Sequence, residues 1–256
     1  MSPDAAFSPP PPQIEPTERW IRVRLGRHLL ADSRRALLLV RYGPRHLPTY
    51  YLPLDDVAEG ALTNPVEDDD GTVRWTVRAG RRAVVGGATT HARSEPGMEP
   101  LAGHVTFDWE TLDWFEEEEQ VFVHARDPSK RVDVLTGSRH VRAELDGVLL
   151  AESTRPMLLF ETTLPTRFYL PPEDVRTQLL EPSGTVTRCP YKGTARFWSA
   201  RVADRLEPDL AWSYPEPLRE NPRIRGLICF YNERVDLTVD GELLARPVTP
   251  WSVPGR

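Results

Sequence analysis

The sequence predicts a mainly β protein built from two tandem small β domains, each with one short helix. Three observations predict it. The first is an internal repeat. Leu29-Leu30-Ala31-Asp32-Ser33 returns as Leu149-Leu150-Ala151-Glu152-Ser153, and Leu47-Pro48-Thr49 with Tyr51-Leu52-Pro53 and Asp55-Asp56-Val57 returns as Leu164-Pro165-Thr166, Tyr169-Leu170-Pro171 and Glu173-Asp174-Val175. Gly71-Thr72-Val73 returns as Gly184-Thr185-Val186, and a Gly-x3-Phe-x2-Glu-x2-Asp pattern occurs at Gly103, Phe107, Glu110, Asp113 and again at Gly226, Phe230, Glu233, Asp236. The order is kept at offsets between 113 and 123 residues. The second observation is a succession of short apolar or alternating runs punctuated by turn residues. The third is a single helical signal in each copy. The repeat sets a seam near Thr136–Arg139, with a first domain over 19–136 and a second over 137–252.

In chain order, residues 1–18 are a Pro-rich tail with Pro9 to Pro12 and no apolar periodicity, expected to be extended or disordered. Ile21 to Ala31 reads as two strands bending at Gly26. Its counterpart flanks Asp146-Gly147, the dipeptide that most readily takes the positive φ of a tight hairpin turn. Leu37 to Tyr42 and Met157 to Glu161 are strand-length apolar runs. A helix is then expected from Leu54 to Leu62, stopped at Asn64-Pro65, and another from Pro172 to Leu179, with proline and acids in its first turn and Pro182 beyond it. Val235, Leu237 and Val239 alternate with Asp236, Thr238 and Asp240, a half-buried strand ending in an Asp240-Gly241 turn. The corresponding first-copy stretch carries the acid run Glu116 to Glu119, read as a solvated hairpin tip.

Composition excludes several classes. Hydrophobic residues make up 39% and charged residues 27%, enough apolar mass for real cores. No apolar run exceeds five residues (Ala36 to Val40), against about 20 for a membrane span, and no N-terminal signal is visible. A cytoplasmic protein is expected. Net charge is −6, with 22 acids against 16 bases in residues 1–137 and 16 of each after that, so no nucleic-acid partner is expected. Cys189 and Cys229 cannot supply a disulfide framework or a four-thiolate zinc site, and no cofactor or metal is implied. Nothing in the sequence sets an oligomeric state.

The densest candidate cluster lies in the second copy. Of 32 basic residues only Lys130 and Lys192 are lysines, and Lys192 sits in Cys189-Pro190-Tyr191-Lys192-Gly193. A lysine can be desolvated, lose its proton or hold an anion by charge, which arginine does less readily; the same residue also reads as a turn lysine snorkelling over aromatic rings. Tyr191, Trp212 and Tyr214, with Trp198 and Tyr231, read either as pocket walls or as core aromatics. Cys189 stands between Arg188 and Lys192, but a cysteine nucleophile needs a base and this half has no histidine beyond His140; Cys229 reads as a buried thiol. Glu233 and Asp236 face opposite sides if both lie on one strand, so ion pairs with arginines such as Arg196 or Arg234 are the simpler expectation.

Three segments resemble the domain-of-unknown-function 427 family: Cys-Pro-Tyr-Lys-Gly-Thr-Ala at 189–195, Ala-Trp-Ser-Tyr-Pro-Glu-Pro-Leu at 211–218, and Phe-Tyr-Asn-Glu-Arg-Val-Asp at 230–236. Phe-Val-His-Ala-Arg-Asp-Pro-Ser-Lys-Arg-Val-Asp-Val-Leu at 122–135 is similar to the segment joining the two domains of its bidomain members. The resemblance spans about residues 19–252 and implies a β-tent fold, two small antiparallel sheets meeting at an angle around a pocket. It implies no zinc, because the four cysteines of many β-tent proteins are missing. The family is also labelled nucleotidyltransferase-like. That chemistry needs Gly-Ser ahead of a paired Asp-x-Asp, and the only such pair, Asp68 and Asp70, has none upstream. The first copy lacks the Cys-Pro-Tyr-Lys-Gly turn and carries Thr76 to Gly80 in the aligned stretch, which makes the second domain the working one. The expected function is binding of a small anionic or aromatic metabolite, with Tyr191 and Lys192 on its polar end, Trp212 and Tyr214 as a stacking wall, and Glu233 or Asp236 fixing orientation. The alternatives are an enzyme using Lys192 or Cys189, and a protein-interaction scaffold.

Overall fold

In the computed structural model, residues 11–41, 47–91 and 97–252 are described. The chain divides into two compact units, Met1–Asp127 and Pro128–Arg256, both built from strands and 3-10 turns. The first has β1 (Gln13–Pro16), β2 (Ile21–Leu25), β3 (His28–Ser33), β4 (Leu37–Val40), β5 (Thr49–Pro53), β6 (Leu62–Glu67), β7 (Thr72–Ala79), β8 (Arg82–His91), β9 (His104–Phe107), β10 (Asp113–Glu116) and β11 (Glu119–Val121). The second repeats the plan with β12 (Val132–Thr136), β13 (Val141–Leu145), β14 (Val148–Ser153), β15 (Met157–Glu161), β16 (Arg167–Leu170), β17 (Leu180–Cys189), β18 (Gly193–Val202), β19 (Arg205–Ser213), β20 (Ile228–Phe230), β21 (Asp236–Val239) and β22 (Glu242–Leu243).

Each unit holds a seven-stranded and a four-stranded antiparallel sheet. The orders β1-β4-β5-β9-β8-β7-β6 and β11-β10-β2-β3 in the first unit match β12-β15-β16-β20-β19-β18-β17 and β14-β13-β21-β22 in the second. The tight turns fall where the sequence places them. Asp146 and Gly147 take φ of 50° and 77°, and Asp240 and Gly241 take 53° and 85°, the double positive φ that a two-residue hairpin needs. Alternation then buries one face of each sheet. In the second unit Val141, Ala143, Leu237 and Val239 of the small sheet meet Leu158, Phe168, Leu170, Ile228 and Phe230 of the large one.

Several expectations are corrected. Gln13–Pro16, expected in the disordered tail, is an edge strand on β4: Ile14 alone among its polar neighbours reaches the cluster of Leu39, Tyr51, Met98 and Leu101. Residues 1–10 lie outside the described residues. Val132–Thr136, which the repeat assigns to the first copy, pairs with β15 and so belongs to the second unit. The expected helices are only 3-10 turns at Leu54–Asp56, Pro172–Asp174 and Thr177–Leu179, while Leu62 to Pro65 is already strand β6. The cause is local: Val57 and Val175 take extended conformations and bridge to Ala31 and Ala151, drawing the chain out of any helix after one turn. The repeat also shifts in one block. Strand order makes β6–β7 the equivalent of β17–β18, and register through Ala88 and Ala211 equates Trp75 with Trp198, so Gly71 falls level with Thr194. The β6–β7 hairpin closes at Glu67 and Val73, while the second unit's hairpin runs on to Cys189 and Gly193 and carries the Cys-Pro-Tyr-Lys-Gly turn at its end. Gly184 instead lies in a bulge of β17 between Pro182 and Val186. Among the described residues no helix is long and apolar enough to cross a membrane.

Candidate functional site

The large sheet of the second unit is covered on both faces. Opposite the main core, register sets Met157, Tyr169, Cys229, Trp212 and Phe197 in one row across β15, β16, β20, β19 and β18. With Leu159, Ala195, Tyr214 and Ile224 they form a second apolar cluster. Trp212 Nε1 donates to the Tyr169 hydroxyl at 3.0 Å, so the indole is satisfied within the row. Burial pushes the Tyr169 and Tyr214 hydroxyls well above the ordinary range and keeps them neutral.

The family turn closes over this row. In a flat sheet the four steps from β15 to β18, at about 4.8 Å each, would separate them by roughly 19 Å. Lys192 nevertheless donates to Glu161 Oε2. The large sheet therefore curls, bending at the bulges of β17 and β18. The turn is seated by Leu218 N donating to Lys192 O at 3.0 Å and Asn221 Nδ2 donating to Tyr191 O at 2.8 Å. Gly193 is required there: its φ is +104°, and a Cβ would meet Glu216 O at 3.1 Å. Lys130, just ahead of β12, brings its Nζ to 3.3 Å from Glu161 Oε1 and 5.8 Å from the Tyr191 ring centroid. Both lysines of the chain thus meet on one carboxylate.

A second charged group lies on the same face. Arg167 Nη1 and Nη2 donate to Glu233 Oε2 and Oε1 at 2.6 and 2.7 Å, a two-pronged pair. The guanidinium lies 5.5 Å from the Trp212 ring and 5.7 Å from those of Tyr231 and Trp251. Thr249 Oγ1 adds a third bond to Glu233 at 2.6 Å. Burial pushes the Glu233 carboxyl up, but hydrogen bonds from Arg167 and Thr249 and the Arg167 charge outweigh it, leaving the group below its ordinary value.

Of the six residues singled out in the sequence, five are brought to this face: Tyr191, Lys192, Trp212, Tyr214 and Glu233. Asp236 is not; it sits on β21 of the small sheet and pairs with Arg246 at 2.8 Å. The arginines expected for these acids are also different, since Arg234 pairs with Glu207 at 2.6 Å and Arg196 is exposed. Trp212 and Tyr214 are buried floor rather than open wall. Sequence reasoning missed Glu161 and Arg167. The available signal was a charge ending an apolar strand and a charge opening one, which alternation alone treats as an edge. Two cavities lie elsewhere, one of ≈240 Å³ in the second unit and one of ≈370 Å³ beside Leu29–Asp32 and Asp55–Ala58 in the first. None of the six residues lines either.

The remaining candidates resolve structurally. Glu116 to Glu119 does form the β10–β11 hairpin tip, but Glu116 pairs with Arg19, Glu117 accepts from Trp20 N, and Glu118 pairs with Arg22. Asp68 is held by Arg74, and among the described residues no group of three metal-ligating side chains is assembled. Cys229 is fully buried, and burial pushes its thiol up to about 12, whereas Cys189 is partly exposed. A thiol reagent at pH 7 is therefore expected to modify Cys189 alone until the chain is unfolded, read by intact-mass spectrometry. Equal labelling of both in the folded chain would contradict the burial of β20.

Fold and site together define a tandem, mainly β protein whose second unit carries a curled sheet face with an aromatic floor and paired charges. The chain belongs to the DUF427 family, a domain of unknown function, whose model matches residues 13–118 and again 133–241. Among curated proteins nothing matches it.

Proposed function

We propose that the second unit binds a small anionic metabolite at the Lys130–Lys192 pair. One observation carries this reading. Two ammonium groups share the single carboxylate of Glu161, with side chains 15%, 11% and 6% exposed, respectively. Among the described residues one positive charge is left without an ion-pair partner in a largely dry setting, and burying an unmatched charge costs several kcal/mol. A carboxylate or phosphate oxygen would supply the missing charge, with the Tyr191 ring beside it and the curled sheet, the pocket of a β-tent, as a rigid support. The first unit supports the assignment by contrast. Register puts Arg41 at the position of Glu161, which reverses the charge there, and the shorter β6–β7 hairpin turns through Asp68 to Asp70 with no lysine. Two free thiols and a net charge of −6 suit a cytoplasmic protein that does not bind nucleic acid.

The test is thermal unfolding of the full chain titrated with inorganic phosphate and with malonate. A saturating stabilisation is expected with at least one of them, about 2.7 kcal/mol at a hundredfold excess over Kd, and it is expected to vanish in Lys130→Met, which leaves the Lys192–Glu161 pair neutral. No saturating rise with either probe, or an unchanged rise in Lys130→Met, would overturn the reading.

A further inference from the structure

We infer that the cavity between the two sheets of the second unit is a binding site for a small aromatic carboxylate. It occupies about 240 Å³ and is lined by Arg139, Thr166, Phe168, Asn232, Leu237 and Pro247 among others. It lies on the other side of the large sheet from Lys192, and the inference does not rest on the anion site there.

The argument comes from the duplication, which supplies a filled version of the same place. Ile21 pairs with Glu116 and Ser33, and Val141 pairs with Val239 and Ser153, so Arg19 corresponds to Arg139 and Glu116 to Val239. The same registers equate Trp114 with Leu237 and Tyr50 with Phe168, and counting from Phe107 and Phe230 equates Trp109 with Asn232. In the first unit Trp109 stacks on Trp114 at 4.3 Å and 10°, with the Tyr50 ring 6.3 Å from Trp114. Arg19 pairs with Glu116 at 2.7 Å and donates to the Tyr50 hydroxyl at 3.2 Å, and that hydroxyl donates to Glu116 at 2.8 Å. Flat rings, a carboxylate and an arginine together fill the space.

In the second unit the arginine remains and what it held is gone. Both indoles, the phenol oxygen and the carboxylate are replaced by Asn232, Leu237, Phe168 and Val239, and a cavity stands in their place. Among the described residues Arg139 makes no ion pair. The complementary occupant is one that returns the lost groups: a planar apolar ring against Phe168, Leu237 and Pro247, and a carboxylate for the Arg139 fork. Asn232 is fixed in orientation by donating to Thr166 O at 2.9 Å and can present its amide to a polar ring atom. The volume is below the roughly 300–1,000 Å³ of sites for drug-sized ligands, so the ligand is of one- or two-ring size.

The experiment is a methyl NMR titration of the full chain with indole-3-acetate, which joins an indole to a carboxylate, and with indole-3-acetamide, which lacks the charge. Saturable shifts of the Leu237 and Leu244 methyls are expected with indole-3-acetate, with Kd on the order of 1 mM or tighter. The acetamide is expected to bind at least about tenfold more weakly. Arg139→Gln, a change at an exposed side chain that should not disturb folding, is expected to weaken indole-3-acetate by about the same factor, and Lys130→Met to leave it unchanged. Asn232→Trp with Leu237→Trp, which rebuilds the first unit's filling, is expected to abolish binding. Absence of saturable shifts, equal binding of acid and amide, or parental affinity in Arg139→Gln would each overturn the inference.

Discussion

Glu161→Gln is expected to destabilise the second unit by about 3–5 kcal/mol, the usual cost of removing one partner from a buried ion pair. The substitution keeps the shape of the side chain but leaves Lys130 and Lys192 facing each other without an anion. For a unit of this size the loss corresponds to a fall in melting temperature on the order of 10 °C or more. It also weakens the side-chain link from Lys192 of the β17–β18 turn to β15, so amide exchange in β18 is expected to accelerate while β7 of the first unit is unaffected. Adding Lys130→Met and Lys192→Met to Glu161→Leu removes all three charges and is expected to recover most of the loss. A Glu161→Gln chain within about 1 kcal/mol of the parent would show that the cluster is solvated and would remove the ground for an anion site.

Arg167→Met is expected to have an effect of similar size, about 3–5 kcal/mol, because Glu233 is then left buried without its arginine, keeping the bond from Thr249 but no counter-charge among the described residues. The pair should also show in the acid limb of stability. The Glu233 carboxyl is held below its ordinary value of 4.5 in the folded chain, so it binds fewer protons there than when unfolded. Its stabilisation is therefore fully present above the unfolded value and is lost as pH falls through the lower folded value. Urea unfolding of the second unit between pH 6 and pH 3 is expected to show this loss in the parent. In Arg167→Met the sign reverses: burial without the arginine favours the protonated acid, and stability should rise on acidification through that range. An unchanged acid limb in Arg167→Met would separate Glu233 from the pH dependence.

The architecture was legible because it rests on short-range patterns. Alternation at Val235 to Val239, the Asp-Gly turns and the repeated Leu-Pro-Thr and Gly-x3-Phe blocks each encode one hairpin or one face, and all of them survive in the fold. The expected helices failed because the acids and prolines of a first turn are the same in a 3-10 turn as in an α-helix, and the extension was decided by the bridges of Val57 and Val175 to a different strand. The repeat slipped by one strand at Gly71 because Gly-Thr-Val opens β7 in the first unit but lies within β17, at its bulge, in the second, and only pairing shows which strand it belongs to.

For the site, the sequence alone marked the Cys-Pro-Tyr-Lys-Gly turn, the aromatic residues around it and Glu233, because rare residue types cluster there within short stretches. Tertiary structure alone decided who their partners are. Glu161 lies 31 residues from Lys192 and Arg167 lies 66 from Glu233, and these separations are closed by strand order and by the curl of the large sheet. Periodicity reports which face a side chain occupies and carries no information on which distant strand shares that face. For the same reason the arginine at 139, unremarkable in a chain with so many, acquires meaning only when the first unit shows the ring and carboxylate that its counterpart holds.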